Sequence, residues 1–277
     1  MNETCMTHRD NLFGGSVAEI YETCMVPMLF EPYAADLVNR LRARSGARVL
    51  EIGAGTGVVT RALDAALPPD SVIVATDLNQ AMLDRAAARL TSGRVEWRQA
   101  DAGQLPFPDA SVDAIVCQFA AMFFPDKPRA FGEARRVLRP GGVFLFNVWD
   151  RLADNEFAET VDGAVAALFP HDPPRFMART PHGYHDRPLV ERDLAAGGFV
   201  ERPQIDTVAL RSRAESARVA AVAFCQGTPL RTEIEARDPG GLEAATAAAA
   251  GALSDRLGAG PIDGRMQAHV IVVTKAP

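Results

Sequence analysis

The feature that most constrains this chain is the junction at residues 48–66. Arg48-Val49-Leu50-Glu51-Ile52 runs straight into Gly53-Ala54-Gly55-Thr56-Gly57, after which Val58, Val59, Ala62, Leu63 and Ala66 recur at helical spacing. The aliphatic run reads as a strand, the glycines as a tight turn built of bare backbone, and the periodicity that follows as a helix. A strand turned directly into a helix is half of a βαβ crossover, so this segment points to a parallel sheet.

The next hundred residues repeat the rhythm. Ser71–Thr76 is β-branched and apolar and ends at Asp77; Asn79 is placed to cap a helix carrying Met82, Leu83, Ala86 and Leu90. Val95-Glu96-Trp97 is a short strand ending near Asp101, and residues 112–119 are an apolar strand. Residues 126–138 put Ala130, Phe131, Ala134, Val137 and Leu138 on one helix face; Pro140-Gly141-Gly142 stops that helix, and residues 143–149 form the next strand. The strands at 72–75 and 143–149 lack clean alternation, as expected when helices cover both faces of the sheet.

The flanks read less regularly. Residues 15–44 look helical, interrupted at Pro27 and Pro32. Downstream, 152–169, 189–197, 213–225 and 241–257 read as helices, and 200–210 and 269–275 as strands. Residues 170–188 carry prolines 170, 173, 174, 181 and 188 with His171, His182 and His185, and read as a loop or lid. With no internal repeat and no long linker, the expectation is one domain over 1–277, with 45–150 as its binding core and 1–44 and 150–190 as a substrate cap.

Charge and composition narrow the partners. Lys and Arg number 29 against 35 Asp and Glu, a net charge of −6, and the short basic stretches at 40–44 and 135–139 suit helix surfaces. No nucleic-acid partner is expected from such a chain. No apolar run reaches the roughly 20 residues of a membrane span. The opening MNETCMTHRDN has neither the basic nor the apolar part of a secretory leader, so a cytoplasmic protein is expected. Cys5, Cys24, Cys117 and Cys225 are scattered without a CxxC pair, which supports neither a metal nor a redox site.

The chemistry sits where the strands end. Gly53 and Gly55 permit close approach of a ligand to backbone, but Val58 stands where the dinucleotide pattern GxGxxG needs its third glycine, which comes one residue early at Gly57. Asp77, at the end of the second strand, is placed to accept both hydrogen bonds of a ribose diol. Asp101, beyond the third, can accept from an exocyclic amine. The fourth strand ends at Gln118-Phe119. Open parallel sheets bind ligands at this edge, and four such features there outweigh an empty βα turn.

Together these stretches resemble class I S-adenosylmethionine-dependent methyltransferases of the type 11 group, which includes the ubiquinone and menaquinone C-methyltransferases. The resemblance rests on VLEIGAGTG (49–57), ATDLNQAML (75–83), RQADAGQLPFPDASVDAIVCQFA (98–120) and EARRVLRPGGVFLFNVW (133–149). It implies an α/β, Rossmann-like sheet of seven mostly parallel strands, the last, HVIVVTK, antiparallel, with helices on both faces and helical N-terminal and lid additions. It also implies S-adenosyl-L-methionine as cofactor and S-adenosyl-L-homocysteine as product. Carried over residue by residue, Glu51, Gly53, Ala54 and Gly55 line the methionine end. Asp77 takes the ribose hydroxyls, Leu78 packs on the adenine, Asp101 and the Ala102 backbone meet its edge, Gln118 and Phe119 sit by the sulfonium, and Met82 is a further cofactor-binding residue.

The acceptor side is less marked. Tyr21 and Phe119 are candidate aromatic faces for the sulfonium. Phe13, Tyr21, Met25, residues 121–124, Phe176, Met177 and Tyr184 are candidate walls, and their character points to a small, partly hydrophobic acceptor. Of the three clustered histidines, His185 is the candidate general base. Two other readings stay open: a binding protein for the same cofactor that does not turn over, and an NAD-dependent dehydrogenase, which the glycine spacing and Asp101 disfavour.

Overall fold

The structure, a computed structural model, describes residues 19–41 and 45–277. Phe13, Cys5 and the basic residues 42 and 44 lie outside the described residues. A π-helix, Tyr21–Phe30, is followed by α1 (Glu31–Arg40), β1 (Arg48–Ile52), α2 (Val58–Ala66), β2 (Val72–Asp77), α3 (Gln80–Arg89), β3 (Val95–Gln99), β4 (Val112–Gln118), α4 (Lys127–Val137) and β5 (Leu138–Trp149). Then come α5 (Glu156–Leu168), α6 (Phe176–Arg179), α7 (Arg187–Ala196), β6 (Gln204–Ala214), α8 (Ala217–Gln226), α9 (Leu230–Arg237), α10 (Leu242–Leu257) and β7 (Ile262–Thr274).

The strands form one seven-stranded sheet in the order β3-β2-β1-β4-β5-β7-β6. The first five are parallel, with Ile52 beside Thr76, Asp77 beside Gln99 and Gln118 beside Asn147. Reciprocal bonds at the start of β5, Gly141 N–H to the Lys275 carbonyl (2.8 Å) and Lys275 N–H to that of Gly142 (2.8 Å), make the last strand antiparallel. That is the mostly parallel Rossmann-like sheet expected from the resemblance. Its chain order reverses between β1 and β4, whose carboxyl ends open a crevice in doubly wound sheets.

By contact the chain divides into two compact units. One comprises Glu31–Val148, Tyr184–Thr207 and His269–Pro277; the other comprises the described residues of Met1–Phe30, with Trp149–Gly183 and Val208–Ala268. In the sheet-bearing unit the central strands are dry on both faces: Val49, Leu50, Ile73, Val74, Ile115 and Val116 are fully buried. Helices cover them with Val59 and Leu63 of α2, Leu83 and Ala86 of α3, and Phe131, Ala134 and Val137 of α4. Side chains buried this way contribute roughly 1.5–3 kcal/mol each. Asn79 and Asp126 cap α3 and α4 by accepting from Ala81 N–H and Arg129 N–H.

In the second unit α10 packs along α8 and α5 through Ala245, Ala249 and Leu253, and small alanines let the helices approach closely. The π-helix contains Pro27, which has no N–H to give to a helical ladder, and Tyr21 stacks on Phe30 with centroids 5.1 Å apart.

The structure alters three readings of the sequence. β5 begins at Leu138, not residue 143, because the Pro-Gly-Gly stretch is held by the antiparallel partner Lys275. β7 begins at Ile262, where Ile262, Gly264, Met266 and Ala268 alternate inward with charged residues outward, a pattern the glycine and the charges obscure. Residues 170–188 contain α6 and bury Phe176, Met177, Tyr184 and His182, so this stretch is packed rather than bare loop.

Candidate functional site

The glycine turn, Asp77, Asp101 and Gln118-Phe119 all fall at the carboxyl edge of the parallel strands, as the spacing predicts. The turn is closed by Ala54 N–H to the Thr76 carbonyl (2.8 Å) and Gly57 N–H to that of Ala54 (2.8 Å). Gly53, Gly55 and Gly57 all have positive φ, at 72°, 54° and 83°, which L side chains rarely adopt.

The three glycines do different work. A Cβ on Gly53 would lie 2.4 Å from the Cβ of Ala120, so that glycine lets the exit of β4 close over β1. A Cβ on Gly57 would lie 3.0 Å from Ala86 and 3.2 Å from Trp97, so it admits α3 and β3. Only Gly55 faces open space, with nothing within 4 Å of the added atom. The bare surface offered to a ligand is therefore at Gly55, and Gly53 contributes by packing.

Asp77 is held by that turn. Its Oδ2 accepts from Gly55 N–H (2.8 Å) and its Oδ1 from Asn79 N–H (2.8 Å). A carboxylate has about four lone-pair sites, so acceptor capacity remains for a further donor. Burial raises its pKa against the opposing backbone N–H groups of Asn79, Gly55 and Leu78. Next to it Leu78 is 57% exposed, an uncommon position for a large apolar side chain. Asp101 is exposed and accepts from Gly103 N–H (2.8 Å), with Ala102 half-buried beside it.

Beneath the turn lies Glu51, 1% exposed, whose Oε2 accepts from the Thr60 hydroxyl at 2.5 Å. Burial pushes its pKa up to about 8; the Thr60 bond opposes the rise, Asp77 adds to it and Arg61 opposes it. Thr60 lies on α2, nine positions along the chain, where no sequence signal marks it. The neighbouring Cys117 thiol is pushed by burial up to about 12 and is no nucleophile.

On the far side of the edge, Phe119 has φ 48°, an uncommon value for an aromatic residue. Its N–H donates to Asn147 Oδ1 at 2.9 Å, and its ring meets Tyr33 edge-on at 5.2 Å. Gln118 is buried at the end of β4, and Met82 is buried on α3.

The remaining candidates are more dispersed. Tyr21 and Met25 lie in the π-helix of the second unit. His185 is half-buried just before α7, whereas His171 is exposed. His182, in the second unit, has its Nδ1 2.8 Å from the Asp150 carbonyl, and its ring lies 6.0 Å from that of Trp149. Among the described residues no group of His, Cys, Asp and Glu could hold a metal ion, and no helix is long and apolar enough to cross a membrane.

A parallel sheet with a side-chain-free turn and a carboxylate at the next strand end is the arrangement found in nucleotide-binding α/β folds. Residues 50–146 of the chain match the model of a methyltransferase-domain family. The chain is 30% identical over 169 residues to the ubiquinone/menaquinone biosynthesis C-methyltransferase UbiE of Pseudomonas aeruginosa, a match spanning 56% of this chain and 66% of that enzyme, just short of two thirds of its length.

Among solved structures, the YcgJ protein of Bacillus subtilis superposes with a TM-score of 0.56 at 20% identity, over 89% of this chain and 99% of that one. Haemonchus contortus phosphoethanolamine N-methyltransferase 2, solved with S-adenosyl-L-methionine, gives 0.62 at 15% identity, over 99% of this chain and 61% of that one. At such identities these two likenesses speak to the fold alone.

Proposed function

We propose that the chain transfers the methyl group of S-adenosyl-L-methionine to a small, partly hydrophobic acceptor. The observation that carries the cofactor is the cradle at Gly55 and Asp77: open backbone at φ 54° beside a carboxylate with acceptor capacity to spare. The cofactor, when bound, supplies a methyl group already activated on a sulfonium.

The chain's own residues bind and orient. Asp77 accepts from the ribose hydroxyls, and exposed Leu78 with Met82 on α3 serves the adenine. Exposed Asp101 accepts from the adenine amine, with the Ala102 backbone beside it. Glu51, Ala54 and Gly55 form the methionine end. Gln118 and Phe119 face the sulfonium, and Phe119 is fixed there by Asn147 and Tyr33. His185 is the acceptor's proton-accepting side chain where the acceptor is a hydroxyl or an acidic carbon. Similarity to enzymes named for ubiquinone and menaquinone C-methylation supports an apolar acceptor.

A thermal-shift experiment tests the cofactor. S-adenosylhomocysteine at 100 times its Kd stabilises by about 2.7 kcal/mol, and NAD does nothing. Stabilisation by NAD alone sinks the reading. Mass spectrometry of an acceptor panel tests turnover: a mass gain of one methyl group supports the enzyme, and tight binding with no product across the panel favours a binding protein. Loss of less than tenfold in turnover in His185→Ala counts against that residue.

A further inference from the structure

The cradle contains a group that the methyl-transfer reading does not use as a titrating acid. Glu51 is enclosed on every side. From α2 come the Thr60 hydroxyl at 2.5 Å and the charge of Arg61; from β2 comes the carboxyl of Asp77; and from β4 comes the Cys117 thiol. One cation, Arg61, is felt there against two carboxyl groups, and the Arg61 guanidinium is itself bonded to the Thr56 carbonyl at 2.8 Å. A buried carboxyl group beside a half-buried one does not ionise easily together with it until positive charge arrives.

S-adenosylmethionine carries positive charge on its ammonium and its sulfonium, and its methionine end is the end this reading gives to Glu51. We infer that Glu51 is protonated in the cofactor-free protein and releases its proton to solvent when the cofactor binds, so that cofactor uptake is a proton-for-cation exchange. This inference rests on the cofactor reading above. Its consequence is that affinity for the cofactor rises with pH through the neutral range. With Glu51 titrating near 8 when free, affinity increases about fivefold from pH 7 to pH 8 and flattens above.

Calorimetric titration with S-adenosylmethionine and S-adenosylhomocysteine in two buffers of different ionisation enthalpy counts the protons. The wild-type protein at pH 7 releases about 0.9 proton per cofactor more than Glu51→Gln does. The ligand's own amino group titrates against both proteins and cancels in the difference. Thr60→Val removes a bond that favours the ionised form, so its affinity profile moves to higher pH; this variant carries the test if Glu51→Gln fails to fold.

Equal proton release by wild type and Glu51→Gln, or a Thr60→Val profile superimposable on the wild type, overturns the exchange while leaving the cofactor site standing. No heat and no thermal shift with either ligand overturns the cofactor reading itself.

Discussion

Asp77 and the glycines carry the site at the scale of single residues, and each fails in a different way when changed. Asp77→Ala removes the acceptor proposed for the ribose diol and leaves the N–H groups of Gly55 and Asn79 to water. Hydrogen bonds to charged groups contribute about 1.5–3 kcal/mol each, so S-adenosylhomocysteine affinity falls by roughly 100-fold. Unchanged affinity by calorimetry removes Asp77 from the site. Gly53→Ala and Gly55→Ala separate packing from binding. At Gly53 a methyl group meets Ala120 at 2.4 Å, so the protein loses about 2–4 kcal/mol of stability. At Gly55 there is room, so only the left-handed backbone costs, about 1–2 kcal/mol, while affinity falls at least tenfold because the methyl group takes ligand space. Urea denaturation and calorimetry on both variants check this; the same profile for both contradicts the division of labour.

At the scale of elements, the exit of β4 is the least expected piece of architecture. A parallel strand normally ends in a loop free to settle, but here Phe119 is held at φ 48° by the Asn147 carboxamide from β5, and Ala120 is pressed over Gly53. Asn147 is fully buried and its Nδ2 has no hydrogen-bond partner, so its presence is explained by the oxygen it gives to Phe119. Asn147→Ala releases that strand end and costs about 1–3 kcal/mol, read as a lower urea midpoint; a midpoint within error of wild type shows the bond to be incidental. The strand and helix positions of the sheet core and the cap at Asn79 were legible from apolar runs, 3.6-residue periodicity and cap residues; the strand order and the cap at Asp126 were not. Nor were the start of β5 and the length of β7, because each is decided by partners distant in the chain, as Gly141 and Lys275, 134 positions apart, show for β5.

For the whole molecule, Glu51 makes stability depend on pH in a direction opposite to that of a paired carboxylate. Its pKa is about 8 when folded, against an ordinary value of 4.5, because burial penalises the charge. The folded chain therefore holds a proton that the unfolded chain has lost between pH 5 and 8. The associated stability is full below the unfolded pKa and drains as pH rises through the folded one. Burial also raises Asp77 and acts in the same sense. Glu133, held low by Arg136, acts below this window. Trp97 and Trp149 fall in different units, so Trp149→Phe leaves Trp97 fluorescence to report the sheet-bearing unit. In that background the urea midpoint falls from pH 5.5 to pH 8, and Glu51→Gln largely flattens the trend. A midpoint that rises with pH contradicts a protonated Glu51.

What the sequence determined by itself was the kind of sheet and the edge at which ligands meet it. Strand, glycine turn and helix are local properties, written in neighbouring residues, and Asp77 and Asp101 stand at strand ends by counting alone. The tertiary structure decided which glycine faces open space, that Thr60 and not solvent meets Glu51, that Asn147 holds Phe119, and that the His182 ring meets the Asp150 carbonyl. Each of these depends on atoms brought within a few ångströms from distant parts of the chain, and pairwise proximity of that kind leaves no periodicity in a single sequence to read.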